Sequence, residues 1–325
     1  MVLCFIVKKI FRRLIALRLF AAENGEIMQL VYQIIYHPAI NKVWRNLLKP
    51  FAKSLKGISK LPVSGVVSLK LNDGKVLKIA TNPTSFATKH LFWEGVEAFE
   101  YVPIFIRLIK NCRSFYDIGA NTGLYTVLAN KCQPQIHVFA FEPSSGPYHY
   151  LEKNIKINGC EHTKSFKLAL SDQKDTVDFH EVINYKYRFL KHNLGGVGNM
   201  ANKISHRKME TTQVQSETAD ALWRAHGGQP VDLVKIDTEA TEDYILRGMS
   251  EIISAHEPII ICETLYNKIE GVVEDIIRQY PQYSFYNHVD GKLVKVDGIR
   301  RSTDNGVRDC FFVPASKTDW IQEFL

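Results

Sequence analysis

Ten residues, Ser114-Phe115-Tyr116-Asp117-Ile118-Gly119-Ala120-Asn121-Thr122-Gly123, constrain this chain more than any other stretch. A short apolar run ends in a glycine turn, and a helical pattern starts directly after it. In an open α/β sheet that junction faces the ligand crevice at the carboxyl ends of the strands. Gly119 and Gly123 remove side chains where the backbone has to approach a ligand closely. Asn121 or Thr122 is positioned to cap the helix that follows.

The rest of the chain supports the same architecture. Strand-like runs fall at Ser114–Ile118, Ile136–Phe141, Ser165–Leu170, Val231–Ile236, Pro258–Glu263, Tyr283–His288 and Cys310–Val313. Helical patterns at Thr122–Lys131, Pro147–Asn158, Glu217–Arg224, Thr241–Met249 and Ile269–Tyr280 lie between them. This alternation predicts an α/β fold with a seven-stranded, mostly parallel sheet and helices on both faces. Residues 92–325 form that unit. Residues 61–91 read as a β-hairpin lead-in around Asn72-Asp73-Gly74, and residues 1–60 as a basic helical extension. Gly195–Lys208 reads as an insertion between the third and fourth strands, either a solvated loop or a lid bordering the crevice.

Charge is distributed unevenly. The chain carries +7, yet residues 1–60 hold eleven Lys and Arg against Glu23 and Glu26, which leaves the remainder slightly acidic. A body of that sign lacks the surface expected for a long polyanion, so nucleic acid is not an expected partner. Leu3, Ile6, Val7, Ile10, Leu14 and Leu17 share one helical face and Lys8, Lys9, Arg12 and Arg13 another. Residues 1–20 therefore suit an anionic membrane surface or docking onto the protein body. No run reaches the ~18–20 apolar residues of a membrane span. The six cysteines are scattered without a C-x-x-C pair, which fits reduced thiols and a cytoplasmic location, peripheral at the membrane if the helix binds lipid.

The turn has the spacing G-x-x-x-G and lacks the third glycine of the dinucleotide fingerprint G-x-G-x-x-G. Asp117 would repel a pyrophosphate but suits a ligand bearing an ammonium and a sulfonium, such as S-adenosylmethionine. Glu142, closing Val138-Phe139-Ala140-Phe141-Glu142, can accept both hydroxyls of a ribose, a requirement shared with NAD.

Asp117-Ile118-Gly119-Ala120-Asn121-Thr122-Gly123, Phe141-Glu142-Pro143, Ala169-Leu170-Ser171-Asp172 and Lys235-Ile236-Asp237-Thr238-Glu239 resemble the signature blocks of the FkbM-type S-adenosylmethionine-dependent methyltransferases. Lys153-Asn154-Ile155, Asn158-Gly159 and Leu246-Arg247-Gly248 extend the resemblance, which spans about Trp93 to Val313. It implies a class I (Rossmann-like) methyltransferase fold and O-methylation of a hydroxyl, often on a sugar or polyketide-type product. It implies cofactor contacts from Asp117, Gly119, Asn121, Thr122, Gly123 and Glu142, with Ala169, Leu170 and Ser171 near the adenine. One departure is Ala240, where the family usually has glycine; an added methyl narrows the pocket there.

A sulfonium is an activated methyl donor, so the protein must align an acceptor oxygen, exclude water and supply a base. Asp237, Glu239 and Glu263, at the ends of the fourth and fifth strands, are the candidate catalytic acids; equally, their oxygens suit Mg²⁺. The expected acceptor is a hydroxyl of a carbohydrate or glycolipid precursor. RNA methylation is the alternative within enzymes, and a non-catalytic membrane-associated module the alternative outside them.

Overall fold

The computed structural model describes residues 25–52, 54, 57–195 and 209–325. The predicted helix at residues 3–17 and nearly all of the Gly195–Lys208 insertion lie outside these. Two helices open the described chain, α1 (Gly25–Ile35) and α2 (Pro38–Leu48). Pro38 occupies the first turn of α2, where a missing N–H costs nothing. The hairpin follows as β1 (Gly65–Lys70) and β2 (Val76–Thr81), antiparallel through the Asn72-Asp73-Gly74 turn. Next come α3 (Phe86–Glu94), α4 (Val102–Leu108), β3 (Ser114–Ile118), α5 (Leu124–Cys132), β4 (His137–Phe141), α6 (Ser145–Asn158) and β5 (Thr163–Phe166). The middle of the chain contributes β6 (Ala169–Leu170), β7 (Asp175–Val182), β8 (Met209–Glu217) and α7 (Ala219–Ala225). The last part contains β9 (Leu233–Ile236), α8 (Glu242–Arg247), α9 (Ser250–His256), β10 (Ile259–Glu263), α10 (Glu270–Ile277), β11 (Tyr283–Val289), β12 (Lys292–Val296) and β13 (Asp309–Pro314).

The main sheet has the order β12-β11-β13-β10-β9-β3-β4-β5. Pairing is parallel from β5 through β10, while β13 is antiparallel to both β10 and β11. This is the doubly wound layout expected of a class I methyltransferase. The eighth strand, β12, extends the expected seven by a hairpin on β11 around Asp290 and Gly291, both at positive φ. Chain order reverses between β3 and β9, and such a switch point opens a crevice at the strand ends.

Two features depart from expectation. The run Ser165–Leu170 is not one strand: β5 ends at Phe166, and Ala169–Leu170 joins a separate sheet of order β6-β8-β7. Neither Asn121 nor Thr122 caps α5. Gly123 is the N-cap residue, at φ 82°, and a Cβ there would lie 2.6 Å from Leu151 on α6.

Alternation along the central strands splits the core in two. Phe115, Leu233, Ile261 and Phe311 pack with α3, α4, α5 and the hairpin on one face. Tyr116, Ile118, Val234, Ile236, Ile260 and Phe312 pack with α8, α9 and α10 on the other. The cysteines at 112, 132, 160, 262 and 310 are buried and unpaired. Among the described residues, no helix is long and apolar enough to cross a membrane.

Candidate active site

A cavity of about 360 Å³ opens at the switch point. The loop after β3 supplies Ile118, Gly119 and Asn121, the end of β4 Phe141, Glu142 and Ser144, and the loop after β9 Asp237, Thr238 and Glu239. Leu168 to Gln173 and Val177 to Phe179, around β6 and β7, close the opposite wall with Tyr244. The volume falls in the range of sites for small cofactors.

The glycine turn is held to its neighbours by backbone bonds. Gly119 N and Ala120 N both donate to Phe141 O, at 3.0 and 2.9 Å. Gly119 (φ 71°) passes so near the loop after β9 that a Cβ would lie 1.9 Å from Asp237 O. Asn121 takes φ 50°, which asparagine tolerates better than most residues.

Glu142 is 7% exposed and is fixed by the same turn. Asn121 N donates to its Oε2 and Ser144 N to its Oε1, both at 2.8 Å. Burial nevertheless pushes its carboxyl up to about 7, the two backbone N–H groups and Lys235 only partly offsetting it. Each oxygen still has acceptor capacity, and the side chain lines the cavity. A rigid buried carboxylate with two unsaturated oxygens suits the adjacent hydroxyls of a ribose. Ala169, Leu170 and Phe179 offer flat apolar walls for a base, with Ser171 and Asp172 for its polar edge. The residues present fit S-adenosylmethionine.

Asp117 corrects one expectation. It does not line the cavity and does not present its carboxylate to a ligand ammonium. On β3 it shares a face with Phe115, and that face is covered by α5. There it is fully buried, accepts a 2.6 Å hydrogen bond from Thr126 Oγ1, and lies 3.8 Å from Lys235 Nζ, directly across the strand register. Thr122 and Gly123 are likewise off the cavity wall. Thr122 O accepts from Asn154 Nδ2 at 2.8 Å, and Gly123 makes room for α6.

Lys235, only 3% exposed, sits in the acidic block at a position to which the sequence reading assigns no role. It pairs with Asp117 and, at 3.3 Å, with Asp237 Oδ2, and it lies 5.5 Å from the centre of the Tyr125 ring. Burial alone would lower its ammonium; the carboxylates of Asp237, Asp117 and Glu100 outweigh that and hold it raised. The signal was available: a lysine inside the apolar run Val231–Ile236 requires a buried partner, and Asp237 two residues on shares its face.

Strand register then lines up three acids at the carboxyl edge of the sheet. Asp237 follows β9, Glu263 ends β10 beside it, and Glu263 pairs with Asp309 of β13. All three lie on the α5 face of the sheet. Burial, with Asp237, Glu239 and Asp309 nearby, pushes Glu263 up to about 9. Burial, with Glu100 and Asp237, pushes Asp309 up to about 8. Both are thereby biased towards the protonated form, which donates as well as accepts. Glu263 is off the cavity wall, whereas Asp237, 42% exposed, belongs both to that wall and to the acid row. Glu239 lines the cavity too. Among the described residues no group of three or more His, Cys, Asp or Glu is placed to hold a metal ion, so Asp237, Glu239 and Glu263 do not converge as the oxygen ligands considered for Mg²⁺.

The loop after β9 is a strained turn. Glu239 (φ 59°) and Ala240 (φ 77°) are both left-handed. Glu242 Oε1 accepts from Thr238 N at 3.0 Å and from Ala240 N at 3.3 Å, which holds the turn in place.

When bound, S-adenosylmethionine supplies a methyl group already activated on a sulfonium. Glu142 and the β6–β7 wall would bind and orient it, the Gly119 turn would exclude water, and Asp237, held by Lys235, would take a proton at Oδ2 or Oδ1.

Several known proteins are similar to this chain. A methyltransferase from Beauveria bassiana, "Methyltransferase 1", is 24% identical over 143 residues, which cover 42% of this chain and 57% of that protein. "Methyltransferase sdnD" of Sordaria araneosa is 26% identical over 159 residues, covering 42% and 60%. The chain thus spans less than two thirds of the length of these relatives. A solved FkbM methyltransferase from Methylobacillus flagellatus overlaps 62% of this chain and 43% of its own, at 14% identity and a TM-score of 0.41. An S-adenosylmethionine-dependent methyltransferase from Agrobacterium tumefaciens overlaps 78% and 71%, at 8% identity and 0.41. The model of the methyltransferase FkbM domain matches residues 117–290, more than half of the sequence and the very stretch from Asp117 through the acid row's Glu263. The chain belongs to the FkbM family of S-adenosylmethionine-dependent methyltransferases.

Proposed function

We propose that this protein transfers the methyl group of S-adenosylmethionine to a hydroxyl oxygen of a carbohydrate or a glycolipid precursor. The observation that carries the reading is the position of Asp237, shared between the cofactor cavity and the row of Glu263 and Asp309. An acceptor hydroxyl beside Asp237 meets a carboxylate paired with a buried lysine, which can take its proton as the methyl group transfers.

The test is incubation with methyl-labelled S-adenosylmethionine and a panel of monosaccharides, glycosylated lipids and total RNA. Label retained on a sugar after alkaline treatment is the expected result, since an ether survives where an ester does not. Label confined to RNA overturns the reading. Asp237→Asn is expected to lower turnover by about 10²–10⁴-fold while leaving S-adenosylhomocysteine affinity within a few-fold, as befits loss of a general base. Near-normal turnover in that variant removes Asp237 from the chemistry.

A further inference from the structure

Helices α1 and α2 are apolar on two sides. Inward, Tyr32 and Tyr36 pack edge-on against Tyr187 at 5.3 and 5.5 Å, and Trp44 Nε1 donates to Ile35 O at 3.0 Å. Outward, Ile27, Leu30 and Ile34 form a stripe on α1 that is 47–60% exposed. Ile40, Val43 and Leu47 repeat the spacing on α2 at 45–63% exposed. Scattered apolar side chains on a surface need no explanation, but six large ones at the same spacing on two consecutive helices do.

The charges around this face are mostly basic. Lys42 is exposed on α2. Gln29 on α1 fastens the loop that follows β7: its Nε2 donates to Lys186 O at 3.1 Å, and its Oε1 accepts from Arg188 N at 3.0 Å. That loop adds exposed Ile183 and Tyr185 to the apolar area and exposed Lys186 and Arg188 to its rim. The opposing acid on these two helices is Glu26. A protein interface is enriched in aromatic, Met and Arg side chains, whereas the six stripe residues on α1 and α2 are Ile, Leu and Val. An anionic lipid surface takes both the stripe and the basic rim, since aliphatic side chains enter below the headgroups while lysine and arginine reach up to the phosphates.

We propose that the outward face of α1 and α2, with the Ile183–Arg188 loop, docks on an anionic lipid bilayer. The inference stands apart from the catalytic reading, because none of these residues lines the cofactor cavity. It does have a consequence for access: the docking loop continues directly from β7, whose Val177, Asp178 and Phe179 form a cavity wall.

Flotation of the full-length chain with phosphatidylcholine vesicles, with and without phosphatidylglycerol, tests this. The protein is expected to float with the phosphatidylglycerol vesicles only, and less so at high salt. The Leu30→Glu, Val43→Glu double variant, altered at exposed positions and so retaining its Tm, is expected to bind about tenfold or more weakly. Lys186→Glu with Arg188→Glu gives a second reading that leaves the aliphatic stripe intact, and is expected to weaken binding in the same direction. Wild-type protein that ignores both vesicle types overturns the proposal. So does a Leu30→Glu, Val43→Glu variant that floats like wild type, since residues 1–24 would then carry the contact alone. A wild-type dimer that this variant converts to a monomer, without vesicle binding by either, assigns the face to a second copy and also overturns it.

Discussion

Replacing Glu142 by glutamine tests the cofactor site at its most constrained pair of atoms. Both carboxylate oxygens already accept a backbone N–H, from Asn121 and Ser144, each at 2.8 Å. A glutamine must turn its NH₂ towards one of those donors, so one backbone N–H loses its acceptor and one oxygen is lost to the ribose. A hydrogen bond to a charged group is worth about 1.5–3 kcal/mol, which predicts S-adenosylhomocysteine binding about 10–150-fold weaker in the variant. The pH dependence is a sharper test. The wild-type carboxyl, raised to about 7, must lose its proton before it can accept from both hydroxyls. Apparent affinity should therefore be about tenfold weaker at pH 6 than at pH 8, and nearly flat over that range in Glu142→Gln. Stability of the ligand-free protein runs the other way. A carboxyl raised on folding contributes stability that is complete below its unfolded pKa and is lost as pH rises through the folded value. Glu142, Glu242, Glu263 and Asp309 all share this sign, so Tm without ligand should fall from pH 6 to pH 9 while the shift caused by S-adenosylhomocysteine grows from pH 6 to pH 8. Calorimetric titration at three pH values measures the affinity, with NAD as the control ligand. A wild-type dissociation constant indifferent to pH, or a glutamine variant that binds as well as wild type, refutes the role given to Glu142.

Two further substitutions probe the acid row and its strained turn. Lys235→Met leaves Asp117 buried with no cation, a situation that costs about 3–5 kcal/mol. The deficit should shrink at low pH, where Asp117 takes a proton, and an unchanged denaturant midpoint at pH 7 counts against the buried pair as a fold determinant. Ala240→Gly relieves a left-handed alanine, gaining about 1–2 kcal/mol, against about 0.5–1 kcal/mol for the freer unfolded chain. A small rise in Tm is expected, and a fall shows that the Ala240 methyl makes contacts that outweigh its strain.

The main sheet was legible because its strands are buried on both faces and read as short apolar runs. Ser114–Ile118 was delimited to the residue, and β10, β11 and β13 to within one or two at each end. The small sheet was not legible. β7 (DTVDFHEV) and β8 (METTQVQSE) are largely half-exposed and polar, so no apolar period marks them. The run Ser165–Leu170 looked like one strand because period-two patterning says which residues share a face and nothing about which sheet they join. Here the chain leaves the main sheet at Lys167, and β6 pairs instead with a strand 47 residues further on, at Ser216 and Glu217.

At the site, the strand-end placement of the acids was legible, but the face each acid occupies was not. Glu142 and Asp237 read correctly as strand-end acids because their positions follow from where β4 and β9 stop. Asp117 misled because it too closes a motif of ligand-binding type, yet alternation along β3 puts it with Phe115 under α5. Only the cross-strand register with Lys235 reveals its partner. The same register explains why Asp237 differs from its neighbours. Glu263 and Asp309 are confined to the α5 face of the sheet, and Glu142 opens only to the cavity, whereas Asp237 stands past the last residue of β9 and borders both. A carboxylate in that position can separate binding from turnover when it is replaced. Loss of Glu142 is expected to act on cofactor affinity, loss of Lys235 on folding, and loss of Asp237 on methyl transfer. Three variants measured by three readouts should therefore give three distinct failures, and coincident loss of binding, stability and turnover in all of them would mean that the acid row and the cavity form one structural unit with no division of roles.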